Sequence, residues 1–456
     1  MPAIDDKRSS SFADSIDRAG WEDNNQENNE SGISRQSQVV VTIKRQVPIP
    51  DPRKVEQCRR LPEYGPRILC FSGGSALKDV SSCLKQYTHH SIHLITPFDS
   101  GGSSAEIRKH FHMLSVGDLR NRLMALSDDL SQDNVHVKQL FSHRLDKHDE
   151  LLAQTEFSEL VQGHHELCRA VSLPLRRILT SHLRWFHNRM PAEFDLRGAS
   201  IGNLIITGCY LEHHADVVTA IYLIWTLLGV KGVVRPITGA NLQLRARYQD
   251  GTTHVGQHLL GKELPVGKHG RIEHIDLVDS LLQDDATTRQ DSKTCHIDSI
   301  SAELLASADV LCYPMGSFFG SVLVNLLPRG VGRAIVSRQC PKIYIPNTGI
   351  DPEMVGLTLA DCLQRIIDMV RVDTKETDAN VDRIINFVLV DTTHCHYCID
   401  MDKDRIRDTW GDSVVILDLC LVDDATRDAL RSGSIQEKCH ELNAQKLVEV
   451  LLTLGS

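Results

Sequence analysis

The 456-residue chain has no overall basic excess: 50 Lys and Arg stand against 60 Asp and Glu, for a formal net charge of −10. A nucleic-acid binder needs surplus cations to neutralise phosphates, so the balance excludes that class. The chain also lacks any uninterrupted run of about 18 apolar residues, so no membrane-spanning helix is expected. Its first 30 residues carry Asp5, Asp6, Asp14 and Asp17 and no apolar h-region, which argues against a signal peptide and for a cytoplasmic location. The cysteines show no framework spacing. There are 13 of them, an odd number, scattered singly and mostly inside apolar segments such as RILCF and DVLCY. That is the pattern of reduced, buried thiols. No internal repeat is evident.

With 41% hydrophobic and 24% charged residues, the chain can bury a large core. Its length suits two or three domains, or one large α/β domain with insertions. Residues 1–38 read as a disordered acidic tail, with eight acids against four bases and no periodicity. Residues 39–66 form a basic lead-in, in which VVVTIKR suggests a strand and PIPDPRK a Pro-punctuated connector. From Arg67 onward, buried strands, Gly/Ser turns and helices alternate, which implies a parallel sheet with crossover helices. Residues 129–195 break this alternation. They look all-helical, hold seven of the 22 His, and read as a helical insertion. Asp250-Gly251 between two alternating segments predicts a β-hairpin.

Three Gly/Ser turns each follow a buried strand: Ser72-Gly73-Gly74-Ser75, then Asp99-Ser100-Gly101-Gly102, then Met315-Gly316-Ser317. Backbone N–H groups at such turns cradle anions, and in a parallel sheet they lie on the carboxyl edge, where ligands bind. Asp99 and Asp118 are candidates to hold Mg²⁺ against a diphosphate. Asp118 taken alone reads first as an acid favoured by a helix N-terminus. Arg108, Lys109, Arg120 and Arg122 make the 102–127 stretch basic and suited to a phosphate.

Other motifs are set aside. GQHLLGKE (256–263) has Glu263 where a P-loop needs Ser or Thr. Gly198-Ala-Ser200-Ile-Gly202 fits the nucleophile-elbow formula, but a polar EFDLR precedes it instead of a buried strand. His394-Cys395-His396-Tyr397-Cys398 has no second pair at zinc-ligand spacing and reads as a loop after a strand. Phe186 and Trp185 read as core.

The segments RILCFSGGSALKDVSSCL, ITPFDSGGSSAEIRKHF, VGDLRNRLMALSD, RGASIGNLII and ADVLCYPMGSFFGSVLVNLLPRGV occur in that order. Together they resemble the CofD family of 2-phospho-L-lactate transferases and its sister group, the UDP-sugar-binding gluconeogenesis factors, and are closest to the CofD-like proteins of the GAK system. The resemblance implies a Rossmann-like α/β fold with helices on both faces of the sheet. It implies a Mg²⁺-assisted transfer of a phosphate-linked group from a nucleotide-diphosphate donor to an alcohol of the deazaflavin type. Gly73, Gly74 and Ser75 would then contact phosphates. Asp99 would be a metal acid, Asn203 a polar site residue, and Gly316, Ser317 and Asn325 part of the nucleotide pocket. The relatives usually carry two adjacent acids where this chain has Phe98-Asp99. That departure favours the alternative of a non-catalytic nucleotide-sugar-binding regulator. The sequence leaves a homo-oligomer open.

Overall fold

The computed structural model describes residues 46–129, 131–260, 269–279, 291–374, 379–432, 434, 435 and 437–455. The expected acidic tail and the strand at 39–45 lie outside the described residues. Residues from Pro48 onward form one compact unit, and the fold below is that of this unit.

Seven strands form one parallel sheet: β1 Ile68–Ser72, β2 Ile92–Ile95, β3 Val233–Pro236, β7 Val310–Tyr313, β8 Lys342–Tyr344, β9 Phe387–Val390 and β10 Val415–Asp418. Their order is β10-β9-β8-β7-β1-β2-β3, with every pair parallel. Strand β1 reads ILCFS and is buried throughout, as an interior strand covered on both faces should be. The chain runs outward from β1 through β2 to β3, then returns to lay β7 on the other side of β1. The strand order therefore reverses between β1 and β7. A second, antiparallel sheet has the order β5-β4-β6, built from β4 Leu242–Tyr248, β5 Thr253–Val255 and β6 Ile272–Asp279. The β4–β5 connection is the Asp250-Gly251 hairpin, with Gly251 at φ +85°.

The expected insertion is helical: Gln132–Ser142, Glu150–Gln162, Glu166–Ala170 and Leu173–Arg189. It is not separate from its flanks. Leu119 and Leu123 before it, Phe157 and Phe186 within it, and Ile205 after it share one buried cluster. The whole β2–β3 connection is thus one helical lobe. Phe186 lies in its core, and Arg189 stacks over Trp185 at 4.3 Å.

The connector expected at PIPDPRK is instead a helix, Pro52–Arg60. Asp51 caps it by accepting from Arg53 N, and Pro52 opens it. Its Cys58 packs with Leu447, Val448 and Leu451 of the closing helix Ala444–Leu454. All thirteen cysteines are free. Among the described residues no helix is long and apolar enough to cross a membrane.

Candidate functional site

The three Gly/Ser turns follow β1, β2 and β7, so all three lie on the carboxyl edge around the order reversal. In a doubly wound sheet this is the crevice where ligands bind. The first and third turns touch. A side chain at Gly73 would bring its Cβ to 2.8 Å from Thr96 Cγ2 and 3.0 Å from Ser321 Oγ. Gly316, at φ +147°, has its Cβ position 3.5 Å from Ser321 Cβ and 4.0 Å from the Gly73 carbonyl. Glycine is required at Gly73 because the Thr96 and Ser321 side chains crowd its Cβ position, and at Gly316 because of its positive φ.

Asp118 occupies the first turn of the helix Gly117–Leu126, yet its side chain leaves that helix. Its Oδ2 accepts the Gly74 N–H at 2.7 Å, tying this helix to the turn after β1. Asp99 accepts from Gly101 N at 3.0 Å through Oδ1 and from Ser115 Oγ at 3.4 Å through Oδ2. Gly117 lies between the two acids, its Cβ position 3.4 Å from Asp99 Oδ2 and 3.8 Å from Asn203 Nδ2. Burial first, and the Asp99 carboxylate second, push the Asp118 carboxyl up to about 6; the Gly74 N–H, Arg122 and Arg120 oppose that rise.

The arginines are buried and already engaged. Arg120 donates to Asn203 Oδ1 at 3.0 Å, to Asn121 Oδ1 at 2.6 Å and to Ser200 Oγ. Asn203 in turn donates to Ser103 Oγ at 3.0 Å. Arg122 donates to Ser72 Oγ at 2.8 Å, to the Leu77 carbonyl at 2.7 Å and to Ser81 Oγ. Arg108 holds the carbonyls of Phe98 (3.2 Å) and Asp99 (3.0 Å). The basic strip read from the sequence is therefore scaffolding. It fixes the first two turns and adds positive potential beside Asp118. Ser200 is fully buried at the start of the helix Ile201–Glu212, with no strand before it, so it is not a nucleophile elbow.

The third turn differs from the expected phosphate cradle. Gly316 N donates to Asn347 Oδ1 at 2.7 Å, and Phe318 N to Asp351 Oδ2 at 3.1 Å. Phe319 N and Gly320 N both donate to Glu353 Oε2 at 2.8 Å. These amides are free for such bonds because they open the helical turn Phe318–Val322, whose first N–H groups have no partner within it. The protein's own carboxylates occupy the donors that an external anion would use. Burial and then Asp351 push the Glu353 carboxyl up to about 8.

Around the switch point the fold thus assembles Gly73, Gly74, Asp99, Ser100, Gly101, Asp118, Arg120, Asn203 and Gly316. Gly102 and Ser75 are exposed beside it, and Ser317 is half-buried at the third turn. Asn325 is fully buried behind it, donating to the carbonyls of Ser72 at 3.2 Å and Ser321 at 2.7 Å. Sequence reasoning missed His258, whose Nδ1 lies 2.7 Å from Ser100 Oγ, and Gln257, which donates to the Gly320 carbonyl at 3.1 Å. Both reach the site from the segment after β5. Part of the discounted P-loop-like stretch, residues 261–263, lies outside the described residues.

A family model described as 2-phospho-L-lactate transferase CofD matches residues 68–419. The "Gluconeogenesis factor" of Listeria monocytogenes is 27% identical over 285 residues, 62% of this chain and 67% of that protein. That of Bacillus subtilis is 24% identical over 328 residues, 70% of this chain and 82% of that one. The match to a putative gluconeogenesis factor of Nostoc spans 52% of its length. A Bacillus halodurans crystal structure, of a protein described as a member of the upf0052 family, aligns with a TM-score of 0.57 at 22% identity. It covers 85% of this chain and 99% of that one.

Proposed function

The chain belongs to the CofD family, and from that premise we propose that it binds a nucleotide-diphosphate-linked molecule at the β1/β7 switch point and transfers the phosphate-linked group to an alcohol. The observation that carries this reading is the convergence of Asp99 and Asp118 on the glycine turns. Two half-buried carboxylates face the same crevice, and burial first, then the Asp99 charge, raise Asp118. A divalent cation relieves that conflict, and Mg²⁺ is commonly held by one or two carboxylates plus substrate phosphates. The residues present therefore fit Mg²⁺, with Asp99 and Asp118 as its protein ligands. Bound there, Mg²⁺ would neutralise charge on a diphosphate.

The remaining residues position. Gly73 and Gly74 let the diphosphate approach the backbone. Asn203, held by Arg120 and Ser103, presents a fixed amide beside Asp99. Attack of a hydroxyl on phosphorus demands alignment and charge neutralisation above all, and a rigid loop set supplies both. A cytoplasmic setting agrees with thirteen free thiols.

One observation favours the second reading, a nucleotide-sugar-binding regulator without turnover. Phe98 is fully buried in the main core and adds no acid beside Asp99. Calorimetry with GDP and with a UDP-sugar, each with and without Mg²⁺, tests both. Binding of one ligand, tightened by Mg²⁺, is expected, and Asp99→Asn should lose the Mg²⁺ dependence. Absence of heat with either ligand overturns both readings. Release of GMP from a guanosine-diphosphate-linked donor separates transfer from regulation.

A further inference from the structure

The sheet continues past the switch point, and the carboxyl ends of β9 and β10 carry polar side chains that the proposed transfer does not use. Asp391 directly follows β9 and is buried. Its Oδ1 accepts from the backbone N–H of His394 at 2.9 Å and lies 2.9 Å from His394 Nδ1. Its Oδ2 accepts from Leu421 N at 2.8 Å, in the loop after β10. That bond brings the neighbouring Cys420, an exposed thiol, to the same place. One ligand atom each from Asp391, His394 and Cys420 lies within 4.8 Å of the other two. The motif His394-Cys395-His396-Tyr397-Cys398 lacks a second ligand pair along the sequence; the fold supplies the missing ligand from another strand end.

We propose that Asp391, His394 and Cys420 form a zinc site that staples the loop after β9 to the loop after β10. The donor set is one sulfur, one imidazole nitrogen and one carboxylate oxygen. Thiolate and imidazole select zinc over magnesium or calcium. Three protein ligands would leave a fourth coordination position for water. The scaffold is preorganised: Asp391 already orients both neighbouring loops, and Cys439 N donates to the His394 carbonyl at 2.9 Å. Binding displaces the Cys420 thiol proton, because the thiolate is the ligand.

The site abuts the loop that shapes the third turn. Gly349 N donates to the His396 carbonyl at 2.9 Å, and Thr348 Oγ1 to the His440 carbonyl at 2.7 Å. Asn347, which clasps Gly316, belongs to the same loop. A metal here would therefore steady the 347–351 loop from behind.

The test uses the full chain, stripped with a chelator and titrated with Co²⁺ alone. A thiolate-to-cobalt charge-transfer band that saturates at a single equivalent, together with the intense visible absorption of four-coordinate cobalt, is expected, and Zn²⁺ should displace it. Cys420→Ser, at an exposed position tolerant of the change, should abolish the charge-transfer band and weaken Zn²⁺ binding at least about tenfold. His394→Ala should weaken it comparably, and Cys398→Ser should change neither. No stoichiometric cobalt binding, a band that survives Cys420→Ser, or one lost in Cys398→Ser would each overturn the proposal.

Discussion

Glu353 carries a carboxyl group whose oxygen receives two backbone N–H bonds yet stays close to Asp351. Burial and that neighbour push it from an ordinary 4.5 to about 8. The folded state therefore binds this proton more tightly than the unfolded state does. The stability it confers is fully present below about pH 4.5 and is lost as pH rises through about 8. We expect the melting temperature to fall between pH 5 and pH 9. Glu353→Gln, which can still accept both N–H groups, should flatten that fall. An unchanged slope in the variant would remove Glu353 as its source. Neither Glu353 nor Asp351 was legible in the sequence, because PEM after a strand has no local signature and its partners lie more than 30 residues away. Gly73, Gly74 and Asp99 were legible, since strand, glycine turn and helix are written contiguously. Asp118 stood between: its helix-terminal position suggested a local role, whereas its bond to Gly74 spans 44 residues.

Elements were read correctly where period and punctuation agree, and misread where a cap was overlooked. Asp51-Pro52 is a helix start signal, an N-cap acid followed by proline at the first helical position. The surrounding prolines mask it along the sequence, so PIPDPRK reads as a connector where the helix Pro52–Arg60 forms. The helical character of 129–195 is legible along the chain, whereas its shared packing with the flanking helices is not. The closeness of that packing shows at Gly208. The helices Leu173–Arg189 and Ile201–Glu212 approach so tightly that a Cβ at Gly208 would stand 1.8 Å from the His182 carbonyl oxygen. That contact is backbone, so no rotamer can relieve it. Gly208→Ala should cost about 1–3 kcal/mol or more by overpacking. Gly239→Ala, with nothing within 4 Å of its Cβ position, should stay within about 0.5 kcal/mol. Denaturant titration of both variants decides this: equal losses would mean that the helix pair relaxes freely.

At the scale of the whole molecule, the strand order creates the site. Parallel alternation predicted a sheet with loops on one edge, but could not say that β7 returns beside β1. Only that return brings the Gly73 turn against Gly316, and only then does the chain have a crevice. The amino edge of the same sheet offers a contrast. A cavity of about 630 Å³ lies there, lined by Arg67, His89, His90, Trp225, Lys231 and Glu303, residues that precede the strands or flank them. It has cations and room, yet none of the glycine turns or paired acids, which all lie at the opposite strand ends. The two edges can be told apart by hydrogen exchange with GDP or a UDP-sugar and Mg²⁺. Slowed exchange is expected at 73–77, 99–104 and 115–121, the turns and helix start that surround Asp99 and Asp118. Little change is expected at 318–320, whose amides already donate to Asp351 and Glu353. Protection confined to 89–92 and 230–233 would move the ligand to the amino edge and sink the switch-point assignment. Strong new protection at 318–320 would mean that the ligand displaces the internal carboxylates, making Asp351 and Glu353 occupants of the site instead of parts of its frame.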